Sequence, residues 1–193
     1  MKTTSVSLLQ RLQAPSPSHA DWRCLQDMYL PLIQYWLARV PGLGDEANDL
    51  AQEVLVVLIR EIPTFERQRD GSFRTWLRQV TVNRVRTYRK QRLRRPVAER
   101  DLADGFIENL ADPQSELARR WDDEHDRHVF DRLLTVVESD FGSTTWRAFR
   151  RFAVDGLPAS QVASETGLSE NAVIQAKSRI LRRLRQEAGG FLD

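Results

Sequence analysis

A single cysteine, Cys24, stands in the 193 residues, so the chain has no intramolecular disulfide framework and no cysteine cluster for a metal. A lone cysteine reads as a small hydrophobe with no chemical role. Long apolar runs are also missing. The longest, Val54-Leu55-Val56-Val57-Leu58-Ile59, suits one buried helix face and falls well short of a bilayer span. The opening MKTTSVSLLQRLQ lacks the apolar core of a signal peptide. Neither a glycine-rich phosphate loop nor a nucleophile elbow occurs. These absences lead us to expect a soluble cytoplasmic protein with no membrane insertion, no cofactor, no metal and no catalytic residues.

What is present is charge, unevenly placed. The formal net charge is only +2, but residues 73–95, FRTWLRQVTVNRVRTYRKQRLRR, carry nine basic residues and no acid. Residues 99–116 then carry Glu99, Asp101, Asp104, Glu108, Asp112 and Glu116 against Arg100 alone. Near residue 180 the chain is basic again, with Lys177, Arg179, Arg182, Arg183 and Arg185. The basic, acidic, basic order says more about partners than the net charge does.

Apolar spacing is helical nearly throughout, which predicts an all-α fold. A first helix is expected from about Ser18 to Arg39, with Leu25, Met28, Tyr29, Leu32, Ile33 and Trp36 inward, ended by PGLG. A second is expected from about Asp45 to Ile62. Asp70-Gly71 reads as a turn, Ser72 as a cap for the basic helix, and Pro96 as its stop. Residues 96–113, acidic and weakly periodic between two prolines, read as a linker. Helices are expected again from Gln114 to Val137, around Trp146, and in a final pair. The organisation is therefore two small helical domains, 1–95 and 114–193, joined by an acidic linker over 96–113.

On a helical wheel, Phe73, Trp76, Leu77, Val80 and Tyr88 share the packing side of the basic helix. Gln79, Asn83, Arg86, Lys90 and Arg94 form a ridge, with Thr87 beside it and Trp76 leading into it. Cations neutralise phosphates, amides and hydroxyls read base edges, and aromatics give unpaired bases a stacking surface. Taken singly, Trp76 and Tyr88 read as core residues. The ridge as a whole reads as a nucleic-acid surface, because an ordinary solvated helix would mix in glutamates.

The stretch LPASQVASETGLSENAVIQAKSRILRRL has helix-turn-helix form. Gly167 supplies a left-handed turn residue and Ser169 a cap. Val173, Ala176, Ile180 and Leu184 make a buried stripe, and Asn171, Gln175, Ser178, Arg179 and Arg182 lie opposite. A recognition helix presents such residues to the major groove. Arg183 and Arg185 are expected nearer the phosphates. The bland reading is a helical hairpin with a basic surface.

Taken together, these motifs resemble a bacterial sigma factor of the extracytoplasmic-function group in the sigma-70 family. DLAQEVLVVLIR, Asp49 to Arg60, resembles the second helix of the N-terminal sigma domain. The basic stretch resembles that domain's promoter-melting helix, and GLPASQVASETGLSENAVIQAKSRILRRLRQE resembles the C-terminal sigma domain. The resemblance implies that Asp49, Gln52 and Glu53 meet the clamp of core RNA polymerase. It implies that Trp76, Gln79, Asn83, Arg86, Thr87, Lys90 and Arg94 meet the minus-ten element of promoter DNA. The loop Phe65 to Ser72 would help hold a flipped base. Asn171, Gln175, Ser178, Arg179 and Arg182 would meet the minus-thirty-five element, with the polymerase flap as a second contact. An anti-sigma factor is a further candidate partner. The chain departs from many relatives at Ile174 and Ala176, which are often basic, and at Glu165, which is often apolar.

Two rival readings stand beside this one. A stand-alone helix-turn-helix regulator would bind an inverted repeat as a symmetric dimer. An enzyme acting on nucleic acid could use His125 and His128, which sit among Asp122, Asp123, Glu124 and Asp126 at a spacing that permits metal ligation. The alternative for these histidines is a charged helix surface.

Overall fold

The computed structural model describes residues 7–66, 72–91 and 97–192. Among them are nine α-helices and no strand. They are α1 (Leu8–Leu12), α2 (His19–Leu37), α3 (Glu46–Glu61), α4 (Ser72–Gln91), α5 (Val97–Ala111), α6 (Glu116–Glu138), α7 (Ser143–Phe149), α8 (Ala159–Thr166) and α9 (Glu170–Ala188). A 3₁₀ turn, Ile62–Thr64, follows α3, and a π-helical turn, Arg150–Val154, follows α7. The expected all-α class is what is found. No described helix is long and apolar enough to cross a membrane. Arg94, Pro96 and the Asp70-Gly71 turn lie outside the described residues, as does the capping side chain of Ser72.

The chain divides into two compact units, and the division falls inside α6. One contains Leu8–Val129 together with residues 190–192; the other contains Phe130–Gly189 together with Ser7. In the first unit, α2 starts where Ser18 and Asp21 build a reciprocal cap: the Ser18 hydroxyl accepts from the Asp21 amide at 3.1 Å, and the Asp21 carboxylate accepts from the Ser18 amide at 3.2 Å. Such a cap is worth ~1 kcal/mol. The α2 stripe Leu25, Met28, Tyr29, Leu32, Ile33, Trp36 is buried against α3, whose own stripe is Leu50, Ala51, Val54, Leu55, Leu58. Next, α4 packs on α3, and its Phe73, Leu77 and Val80 are buried. Trp36 and Trp121 of α6 meet at 5.0 Å in the core. Phe191, two residues beyond the loop that ends α9, is buried in this unit edge-on to Phe73 at 4.8 Å.

In the second unit, α7, α8 and α9 pack around Ala148, Val162 and Val173, with Phe152, Leu157, Ala163 and Leu168 filling in. The helix pair is built from the local signals the sequence carries. Gly167 ends α8 at φ 72°, a left-handed conformation that costs a residue with a Cβ ~1 kcal/mol. Its amide donates to the Ala163 carbonyl at 2.9 Å. The Ser169 hydroxyl then caps α9 by accepting from the Ala172 amide at 3.2 Å.

Two expectations need correction. Residues 96–113 were expected to be a linker, with no helix assigned to them, but 97–111 form helix α5. Within it, Ala103, Ile107 and Leu110 recur at helical spacing, and all three are buried. A narrow stripe suffices because α4 packs alongside. The short helix α1 was not expected at all; Leu8, Leu9 and Leu12 carry it, and all are buried.

Candidate nucleic-acid and polymerase interfaces

The basic helix α4 raises the question of what its cations hold. Among the described residues, most of them hold carboxylates of this same chain. Arg78, only 4% exposed, donates to the Asp122 carboxylate of α6 at 2.6 Å and to the Ala118 carbonyl at 3.3 Å. Arg74 pairs with Asp126 at 3.0 Å and lies 3.7 Å from Asp122. Arg84 meets Glu53 of α3 at 3.3 Å. Arg86 meets Glu108 of α5 at 2.8 Å, and Arg89 pairs with Asp104 of α5. Lys90 is exposed and makes no ion pair among the described residues. The absence of acids within residues 73–95 therefore does not leave the helix bare of them; its acids come from α3, α5 and α6.

These pairs differ in weight. Arg78 is buried and bonded, so removing it strands Asp122. Burial already raises the Asp122 carboxyl above its ordinary range, against the pull of Arg78 and Arg74. The pairs of Arg86 and Arg89 with α5 are exposed on the carboxylate side, and exposed pairs of this kind contribute ~0–1 kcal/mol.

The ridge expected on α4 is present as a surface. Gln79, Asn83, Thr87 and Lys90 are exposed, and Arg86 is half-buried. The Gln79 amide donates to the Asn83 side-chain oxygen at 2.9 Å, and the Thr87 hydroxyl donates to the Asn83 backbone carbonyl at 2.9 Å. Both side chains are thereby held on one line along the helix. Trp76 is half-buried, tilted on Phe65 at 5.0 Å and edge-on to Phe73 at 5.3 Å. Phe65 extends this aromatic group, and its position is set by Gln13, whose side-chain amide donates to the Phe65 carbonyl at 2.6 Å. Sequence reading placed Phe65 at the mouth of a loop without placing it beside Trp76. Nothing local connects residues 13, 65 and 76.

On α3, Asp49, Gln52 and Glu53 are exposed on the side away from Leu50 and Val54. Val56 continues that stripe and is 61% exposed.

On α9, Asn171, Gln175, Ser178, Arg179 and Arg182 are all exposed, opposite the buried Val173, Ala176, Ile180 and Leu184. Arg183 departs from its expected phosphate-facing place. It pairs with Asp140 at 2.7 Å and with the buried Glu187 at 2.7 Å, so it serves the fold. Glu165 is exposed and pairs with Arg151 at 3.0 Å; the Arg151 hydrogen bond, then that of Gln161, lowers its carboxyl below the ordinary range.

Of the two histidines of α6, His125 is an interior residue and His128 is half-buried. His125 is fully buried, its Nδ1 2.9 Å from Asp126, and its ring stacks on Tyr29 at 5.9 Å. Burial lowers its pKa, against the opposing pull of Asp126. His128 Nε2 lies 2.6 Å from the Met28 carbonyl. Among the described residues no group of three or more His, Cys, Asp or Glu side chains could hold a metal ion.

No curated protein matches this chain. A family model does: Sigma-70 region 2 matches residues 25–95, a stretch that runs from Leu25 in α2 through α3 and α4. That stretch contains both the α3 stripe and the α4 ridge, and over these residues the chain is similar to sigma-70 region 2.

Proposed function

We propose that the chain is a sigma factor of the extracytoplasmic-function group, which joins core RNA polymerase in the cytoplasm and directs it to promoters with two DNA elements. The observation that carries this reading is the coincidence of the Sigma-70 region 2 match with an exposed amide and cation ridge on α4. Asp49, Gln52, Glu53 and Val56 form the face offered to the polymerase clamp. Asn83 and Gln79 read bases of the minus-ten element as it opens. Arg86 and Lys90, with Arg94, neutralise its phosphates. Phe65 and Trp76 give an unstacked base a surface, offsetting a few kcal/mol of unstacking. The α9 face, Asn171, Gln175, Ser178, Arg179 and Arg182, reads the minus-thirty-five element in the major groove, and its unit meets the polymerase flap. Domain roles follow as 1–95 for polymerase and minus-ten, 96–113 as the acidic connector, and 114–193 for minus-thirty-five. An anti-sigma factor is a candidate regulator. No catalytic role is proposed.

Reconstitution with core RNA polymerase and run-off transcription on genomic fragments tests the proposal. Selective initiation that depends on the chain is the expected result. Failure to join core polymerase would overturn it. Tight binding of the isolated chain to an inverted repeat would favour the stand-alone helix-turn-helix regulator instead.

A further inference from the structure

Ile174 is a large apolar side chain that the buried stripe of α9 does not use. It is 51% exposed on α9, while Val173, Ala176, Ile180 and Leu184 complete that helix's buried stripe without it. It sits one turn from Glu170, Asn171 and Ser178, next to Gln175. It also lies in the second turn of the helix, near the capped N-terminus, where a recognition helix approaches base edges. An exposed apolar side chain flanked by two amides and a hydroxyl matches one feature of the major groove: the C5-methyl of thymine, the only apolar group a base pair presents there. Isoleucine also suits the task sterically, because branching at Cβ leaves χ1 stiff and the methyl groups preset.

We propose that Ile174 is a specificity-determining residue that packs against a thymine methyl in the upstream promoter element. This rests on the reading of α9 as the minus-thirty-five helix. Asn171 and Gln175 supply amides for adenine, so the site it favours contains a thymine beside an adenine.

The test uses holoenzyme reconstituted from the full chain and core polymerase. Random upstream sequences are selected for binding, and each thymine in the recovered site is then replaced singly by deoxyuridine, which removes only the methyl. For the wild-type chain, one position should weaken binding by about three- to fivefold, the weight of one buried methyl group. For Ile174→Ala that position should become indifferent, and for Ile174→Val it should keep most of its effect. Because the side chain is exposed, unfolding by these substitutions is not expected, and circular dichroism checks it. Wild-type indifference to every deoxyuridine, or equal sensitivity in Ile174→Ala, overturns the inference while leaving the sigma reading intact. A footprint with no upstream protection overturns the reading of α9, and the inference with it.

Discussion

Arg78 separates the two uses of charge on α4. If its place is structural, Arg78→Ala leaves the half-buried Asp122 carboxylate with only Arg74, 3.7 Å away. Breaking a fully buried pair costs ~3–5 kcal/mol, and the partial exposure of Asp122 brings the expected loss to ~2–3 kcal/mol. With a slope of about 2 kcal/mol per molar urea, the unfolding midpoint of this unit should fall by about 1 M. Tryptophan emission follows it, since Trp36 and Trp121 are in contact in this core. Two further measurements sharpen the test. Asp122→Asn in the Arg78→Ala background should recover part of the loss, because the stranded charge is gone. The loss should also shrink on acidification. Without Arg78 the folded-state carboxyl rises further above its unfolded value, so the penalty is present at neutral pH and disappears as Asp122 protonates. If Arg78→Ala instead leaves the midpoint in place and lowers promoter binding, the division of charge argued from burial is wrong.

Asn83→Ala should reduce open-complex formation, read by permanganate reactivity, with polymerase association and the melting temperature unchanged; lost association would mean that the ridge faces protein. Asp49→Ala with Glu53→Ala should weaken co-purification with core polymerase at least severalfold, with little effect on folding, since both side chains are exposed and the Glu53 pair with Arg84 is largely solvated. Glu108→Gln frees Arg86 from its α5 partner and should strengthen binding to single-stranded promoter DNA a few-fold at low salt, with a steeper salt slope; an unchanged slope would mean that Arg86 does not reach phosphate. His125, neutral and buried, has a folded-state pKa below its unfolded value near 6.5. Its contribution is therefore present above that pH and lost as pH falls through the folded value. Thermal stability should fall as pH drops below about 6.5, and His125→Phe should flatten that dependence.

Most helix positions were legible before any coordinates. The cap at Ser169, the left-handed Gly167, and the inward stripes of α2, α3 and α9 are local signals, and each appears where the sequence predicts it. The α5 stripe is not legible locally because Ala103, Ile107 and Leu110 are interleaved with acids and with other apolar residues, which blurs the periodicity. They need a neighbour to bury them, and α4 provides it. The same dependence explains the aromatic group: Phe65, Phe73 and Trp76 belong to different turns of the chain and meet because Gln13 and α4 hold the loop mouth in place.

By itself the sequence determined the helices, their caps, their apolar faces and the segregation of charge along the chain, because these depend on residues a few positions apart. Only the tertiary structure decided which cations are spent inside the protein. Arg74, Arg78, Arg86 and Arg89 find carboxylates between 15 and 52 residues away. An ion pair requires two side chains within a few ångströms, and packing alone brings such distant positions together.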